Sequence, residues 1–280
     1  DILQLKDVDI GTGHISFKGS ILITGDVHEG MVVKSSGDIT VIGFVDSATL
    51  EAEGDVTVSK GIIGRQIKAN EYSTNIHSQG QISAQFVQYS NLVAKGNILV
   101  TKQLLHSHTK TAGSLTVSDP SGRRGDLVGG VARAEKGITA VVIGATAGTK
   151  TDVYCAMEHA ELKQDLKLLD ESVKAMVVAS LDIEARLNKL PPKSEWQGDA
   201  AMIEQIKMML DEKNRIMDER TREELEFDTF KQEVEGYYEK YRIEVLKHVF
   251  LNVELHIGPA NHRTAREHGT CCIANVSQEI

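Results

Sequence analysis

Glycine recurs in this chain at nearly constant spacing, and that spacing limits the fold more than any other feature. The series Gly19, Gly37, Gly54, Gly80, Gly96, Gly113 and Gly137 has intervals of 18, 17, 26, 16, 17 and 24 residues. Four of the six fall between 16 and 18, so the chain is an internal repeat with two interrupted units. The unit is clearest from Leu50 to Val58, which reads apolar-x-Ala-x-Gly-Asp-apolar-x-apolar. Versions recur at Ile15–Gly19, Val33–Ile39, Ile76–Ala84, Leu92–Val100 and Thr109–Val117, with a looser copy from Ala134 to Ala140. Alternation within each unit predicts short strands with one buried face. A second glycine follows mid-unit at Gly25, Gly43 and Gly61. A unit of about 17 residues therefore holds three strands and three corners. One unit cannot bury its own apolar face, but stacked units can, as coils of a parallel β-helix about 4.8 Å apart. Small residues such as Ala52, Ala69, Ala84 and Ala94 suit its narrow interior. The Gly-Asp pairs at Gly25, Gly37 and Gly54 read as corner formers, with glycine supplying a backbone conformation that other residues resist.

The two long intervals read as coils carrying insertions, one around Gly61–Gln66 and one at Ser118–Gly125. Loops that break a repeat tend to share a face and to carry partners. Arg65, Arg123 and Arg124 are the contact candidates there, against the plainer reading of solvated loops.

After Gly148 the period changes. Leu162, Leu166, Leu169, Val173, Met176, Ser180, Ile183, Leu187 and Leu190 are spaced alternately 4 and 3 apart, which is a heptad seam. Pro191-Pro192 ends that helix, and Ser194-Glu195-Trp196-Gln197 has the form of a capping box for the next. The second seam runs through Met202, Ile206, Met209, Ile216, Phe227, Phe230, Val234, Tyr237 and Tyr241, with Lys213, Arg220 and Glu223 at seam positions where looser or phase-shifted packing is expected. A short connection makes the helices antiparallel. Val177, Val178 and Leu181 lie beside the first seam and are candidates for a partner surface, for packing on the second helix, or for self-association. Alternation returns at Val249–Gly258, and a last strand is expected at Ile273–Val276. The fold class is thus mainly β with an α insertion: a parallel β-helix over residues 1–151, an antiparallel coiled-coil hairpin over 152–246, and strands rejoining the β-helix over 247–280.

Composition narrows the function. The 280 residues carry a net charge of −9 with no basic block, which disfavours nucleic acid. No run of 18 apolar residues exists, so no membrane insertion is expected. A chain opening on Asp1 without a signal peptide reads as a piece of a longer protein. Cys155, Cys271 and Cys272 form no disulfide framework, which points to a reducing cytoplasm. His262, His268, Cys271 and Cys272 are metal-binding types at a spacing that matches no common zinc site. No phosphate loop is present, so neither a metal nor a cofactor is expected. The enzymatic alternative is a left-handed β-helix acyltransferase with His77, His106 or His108 as base. Against it, the hexapeptide rhythm occurs once per coil, not three times. At 5% aromatics, no aromatic stripe is expected either. A further alternative is a bactofilin-like scaffold that self-polymerises through its end coils.

Longer motifs carry a family resemblance. Phe86–Ile98 looks like F-[IV]-x-x-[SA]-x-[LIV]-x-A-x-G-[DN]-I, with Leu105-His106-Ser107 following. Gly129-Gly130-Val131, Ile138-Thr139-Ala140, Ile143-Gly144-Ala145 and Gly148–Thr151 fit the next series in order. In these motifs the chain resembles the FapA family of bacterial flagellar assembly proteins. The resemblance implies a right-handed β-helix with a projecting coiled coil and a non-enzymatic cytoplasmic role at the flagellated pole. It also implies two partners: the dephosphorylated glucose-specific IIA component of the phosphotransferase system, which would link sugar supply to motility, and a polar landmark protein.

Overall fold

The computed structural model describes residues 1–69, 71–192, 198–277 and 279–280. They form two compact units, Asp1–Glu158 with Tyr238–Ile280, and His159–Tyr237.

The first unit is a β-solenoid with three strand positions per coil. One face stacks Ile2–Leu5, Ser20–Ile23, Ile39–Val41, 56–58, 82–84, 98–100, Leu115–Val117, 138–140 and 243–245, all parallel. A second stacks Val45–Asp46, 61–63, 86–88, 103–105, 126–128, 142–143 and 248–249. The third stacks Ile15–Phe17, Val32–Ser35, Thr49–Ala52, Thr74–Ser78, Ser90–Ala94, 107–111, 130–134, Thr151–Cys155 and Val253–Ile257. Register holds each apolar side chain above its equivalent. Ile21, Ile39, Val56, Ile82, Ile98, Leu115, Ile138 and Ile243 form one column, and all are fully buried. Each such side chain contributes about 1.5–3 kcal/mol of burial, so the column accounts for much of the driving force.

The corners overturn one expectation. Gly25, Gly37, Gly43, Gly54, Gly80, Gly96 and Gly113 do not have positive φ. Glycine is needed there for room. The Asp38 carboxylate accepts the Asp55 N–H at 2.8 Å, and the Asp55 carboxylate accepts the Gln81 N–H at 2.8 Å. A Cβ on Gly54 or Gly80 would overlap the aspartate oxygen of the coil before it. Asp7 and Asp26 make the same bonds at another corner, and Asn97 does so for Ser114. Gly-Asp is thus one inter-coil device: glycine admits the previous aspartate, and its own aspartate reaches the next coil. Inside the neighbouring corner, Ser35, Ser78 and Thr111 alternate in register with Ala52, Ala94 and Ala134. Their hydroxyls donate to the carbonyls of Gly19, Gly54 and Gly96 and accept the N–H groups of Gly37, Gly80 and Gly113. These buried hydroxyls are therefore paired, as burial requires.

The two insertions do not share a face. Residues 64–69 and 71–73, with the antiparallel pair Gln66–Lys68 and Glu71–Tyr72, leave the corner between the second and third faces. Residues 118–125 leave the corner between the first and second. At the C-terminal end the direction reverses. Ala260–Arg263 pairs antiparallel with Val253–Ile257, Cys271–Ile273 with Ile243–Val249, and His268 bridges Val249. The last coil strand of every face is covered in this way, which interrupts the parallel stack at this end. The final strand is Cys271–Ile273, not Ile273–Val276.

The second unit holds α1, His159–Asn188, and α2, Ala200–Glu235. The strand character of Thr151–Cys155 delays the first helix to His159, and strand resumes at Ile243, so the sequence boundaries at 152 and 247 shift. Glu135, buried in the solenoid, accepts the N–H groups of Met157 and Glu158 at 3.0 Å each, just ahead of α1. Asp199 caps α2 through Ala201 and Met202; the capping box at residues 194–197 lies outside the described residues. The pairing is antiparallel: His159 meets Val234, Ser172 meets Glu223, and Lys213 meets Glu184. The eight seam positions within α1, and Leu190 just beyond it, are all buried or half-buried. On α2, Lys213 and Glu223 stay in phase because each finds a polar partner on α1, and Arg220 pairs with Glu224 on its own helix. The contacts at these three positions are polar.

Candidate interaction surface

The residues singled out from sequence fall at separate places. Arg65 is exposed and ion-paired to Glu29. Arg123 and Arg124 are exposed on a loop fastened by Asp119, whose carboxylate accepts both of their N–H groups and the Ser121 hydroxyl. Those bonds hold the Asp119 carboxyl below its ordinary value, the Ser121 contribution being largest. Within the helical unit, Val178 is 66% exposed and Leu181 57%, while Val177 is half-buried. The apolar exposure continues on α2 at Ile203, Leu210 and Met217, one every seven residues.

The tail cysteines occupy consecutive positions of one strand, so their side chains point to opposite faces. Among the described residues no group of three or more His, Cys, Asp or Glu is placed to hold a metal ion. A cavity of about 350 Å³ behind them is mostly apolar, lined by Val249, Leu255, His262, His268, Cys271 and Ile273 among others. Another cavity, about 630 Å³, lies on the N-terminal coils beside the Lys34–Glu51 ion pair, which is already closed at 2.7 Å.

Chemistry concentrates on the third face. Its outward positions form two columns in register. One runs Asn75, Asn91, His108, Val131, Asp152, Glu254; the other runs Glu51, His77, Val93, Lys110, Arg133, Tyr154, His256. The Arg133 guanidinium lies 4.7 Å over the Tyr154 ring, and Tyr154 stacks on His256 at 4.2 Å with an interplanar angle of 6°. A depression of about 360 Å³ opens where Val93 is small, lined by Asn91, His108, Lys110, Val131 and Arg133 as well. Burial first, and then Arg133, holds the His108 imidazole below its ordinary value, which favours the neutral form; Asp152 opposes this in part.

The corner beside this depression carries rings in an uncommon backbone conformation. Tyr89 (φ 45°) and His106 (φ 47°) occupy the same position in successive coils, and the next coil has Gly129 there at φ 70°. A left-handed conformation costs a residue with a Cβ about 1–2 kcal/mol. The two rings stack at 5.3 Å and 13°, and Tyr72 from the insertion meets His108 edge-on at 5.0 Å. Each of these stacks pairs one tyrosine with one histidine, Tyr89 with His106 and Tyr154 with His256. The available signal was the 17-residue separation of Tyr89 and His106. These rings hold His106 and His108 in packed clusters, with no carboxylate orienting either as a base among the described contacts.

No helix among the described residues is long and apolar enough to cross a membrane. The chain matches, over residues 1–280, the family described as FapA, the Flagellar Assembly Protein A beta solenoid domain. No curated protein and no solved structure matches.

Proposed function

This chain belongs to the FapA family of flagellar assembly proteins, and on that premise we propose that it is a non-enzymatic cytoplasmic scaffold at the flagellated pole. In this reading it binds the dephosphorylated glucose-specific IIA component of the phosphotransferase system, with a polar landmark protein as second partner, and so couples sugar supply to motility. The solenoid is right-handed and the helix pair is a coiled coil presenting Val177, Val178 and Leu181, with Arg65, Arg123 and Arg124 as secondary contacts. The family match over the whole chain carries the reading. The covered C-terminal edge supports a discrete scaffold over a filament that grows through both end coils. The paired corner aspartates support structural over catalytic use of the Gly-Asp repeat.

The test is capture of purified IIA, phosphorylated and unphosphorylated, by the intact chain and by a variant in which a short linker replaces residues 159–237. The reading expects capture of the unphosphorylated form by the intact chain and weaker capture by the variant. Capture of neither form overturns the partner assignment. Full capture by the variant overturns the role of Val177, Val178 and Leu181.

A further inference from the structure

Lys110 and Arg133 are directly opposite each other on neighbouring parallel strands of the third face. Like charges so placed repel and destabilise a sheet. Elsewhere on this face cations are neutralised: Lys34 by Glu51, and Lys150 by Asp152 and Glu254. Lys110 and Arg133 make no ion pair among the described residues, although the chain carries a net charge of −9. Both line the depression above Val93, together with the Asn91 amide and His108, whose neutral form is favoured. Arg133 is braced from behind by Tyr154, which is itself stacked on His256.

We propose that this depression is a docking site for an acidic segment of a partner protein, whose Asp or Glu carboxylate sits on Lys110 and Arg133 while its flanking residues lie on the Tyr89 and His106 rings.

Three observations select this occupant. The braced guanidinium suits a planar carboxylate, which it grips through two parallel N–H bonds. Phosphate sites are usually built from backbone N–H groups at nests or helix ends, and the N–H groups of these strands are engaged in the ladders between coils. The site is also longer than one anion. From His106 to Lys110 the strand spans roughly 13 Å at ~3.3 Å per residue, with rings at one end and cations at the other. Tyr89 and His106 sit at that ring end in left-handed conformations, where the same corner carries Ser47 and Gly129 in other coils. Asp152 is the nearby acidic group; Lys150 holds one of its oxygens at 3.2 Å, and the other is buried. On a chain this acidic, an acidic segment is repelled at most other places, which fixes its position as well as its affinity. The proposal rests on the scaffold reading only in taking the partner to be a protein, and its test does not involve IIA.

The probe is a fluorescein-labelled hexaglutamate peptide, titrated with the intact chain at low salt and followed by anisotropy. The Lys110→Gln/Arg133→Gln double variant should bind at least about tenfold more weakly, equivalent to ~1.4 kcal/mol. Both side chains are exposed, so the variant keeps the fold, which circular dichroism checks. The control, Lys6→Gln/Lys18→Gln, removes the same charge from exposed positions of the first coils and should stay within about twofold. Inorganic phosphate at about 10 mM, matched for ionic strength with chloride, should displace less than half of the peptide. Three results overturn the proposal: no binding by the intact chain, equal loss in both double variants, or full displacement by phosphate, which would make this a free-anion site.

Discussion

Replacing Gly54 by alanine tests why the repeat contains glycine. Its φ is not in the left-handed region, so alanine meets no backbone penalty there, and loss of chain freedom in the unfolded state would by itself stabilise by about 0.4–1 kcal/mol. The folded structure predicts the opposite sign. The new Cβ overlaps Asp38 Oδ1 and lies 3.0 Å from the Gly37 carbonyl carbon and oxygen. The carboxylate must leave, and with it goes the 2.8 Å bond to the Asp55 N–H. A charge-assisted bond contributes about 1.5–3 kcal/mol; here the low end applies, because the corner is exposed and water can replace it. Overpacking against Gly37 adds about 1–3 kcal/mol. Net of the unfolded-state gain, Gly54→Ala should cost about 2–3 kcal/mol in urea unfolding. Asp38→Ala should cost about 1–1.5 kcal/mol, and adding Gly54→Ala to it should cost less than ~1 kcal/mol more, since only the Gly37 contacts remain. The cycle thus predicts a coupling of about 1–2 kcal/mol. Additive costs, or a stabilising Gly54→Ala, would refute the argument that glycine makes room for the aspartate below it. Gly198→Ala, whose Cβ would meet nothing within 4 Å, is the control and should show only the unfolded-state gain of about 0.4–1 kcal/mol.

Two further predictions concern titration. Burial, with Glu135 second, pushes the Cys155 thiol up to about 12, so at pH 8 iodoacetamide should label exposed Cys272 first and leave Cys155 unlabelled until the chain unfolds; early labelling of Cys155, read by mass spectrometry, would contradict its place in the core. The raised value also means that any stability tied to this thiol is intact below pH ~9 and is lost as pH rises towards ~12. His108 is shifted the other way, so its contribution is present above pH ~6.5 and is lost as pH falls through its lower folded value. A His108 proton resonance titrating at or above the free-imidazole value would refute its burial beside Arg133.

Much of the solenoid was legible because its signals are local. Leu50–Val58 displays strand, corner and strand within nine residues, and the glycine intervals set the coil length without any knowledge of contacts. What glycine does there was not legible, since conformational freedom and close approach leave the same letter; only Asp38, lying beneath Gly54, decides between them. The docking surface was hidden for a different reason. Lys110 and Arg133 are 23 residues apart, and the insertion at 118–125 breaks the 17-residue period that would have aligned them. Tyr154 and His256 are 102 residues apart, with both helices between them. Tyr89 and His106 did keep the period, but left-handed conformations are expected at glycine, so the pattern gave no reason to place rings at a corner. The heptad seam of α1 was legible over its whole length, yet the polar positions of α2 looked like faults until Glu184 and Ser172 were seen opposite Lys213 and Glu223.

The most direct test of the scaffold reading is calorimetric titration of the intact chain with purified glucose-specific IIA in its two phosphorylation states. The account predicts saturable binding of the unphosphorylated form and binding at least about tenfold weaker, ~1.4 kcal/mol, for the phosphorylated one. Absence of heat with both forms, or equal affinity for the two, would contradict it.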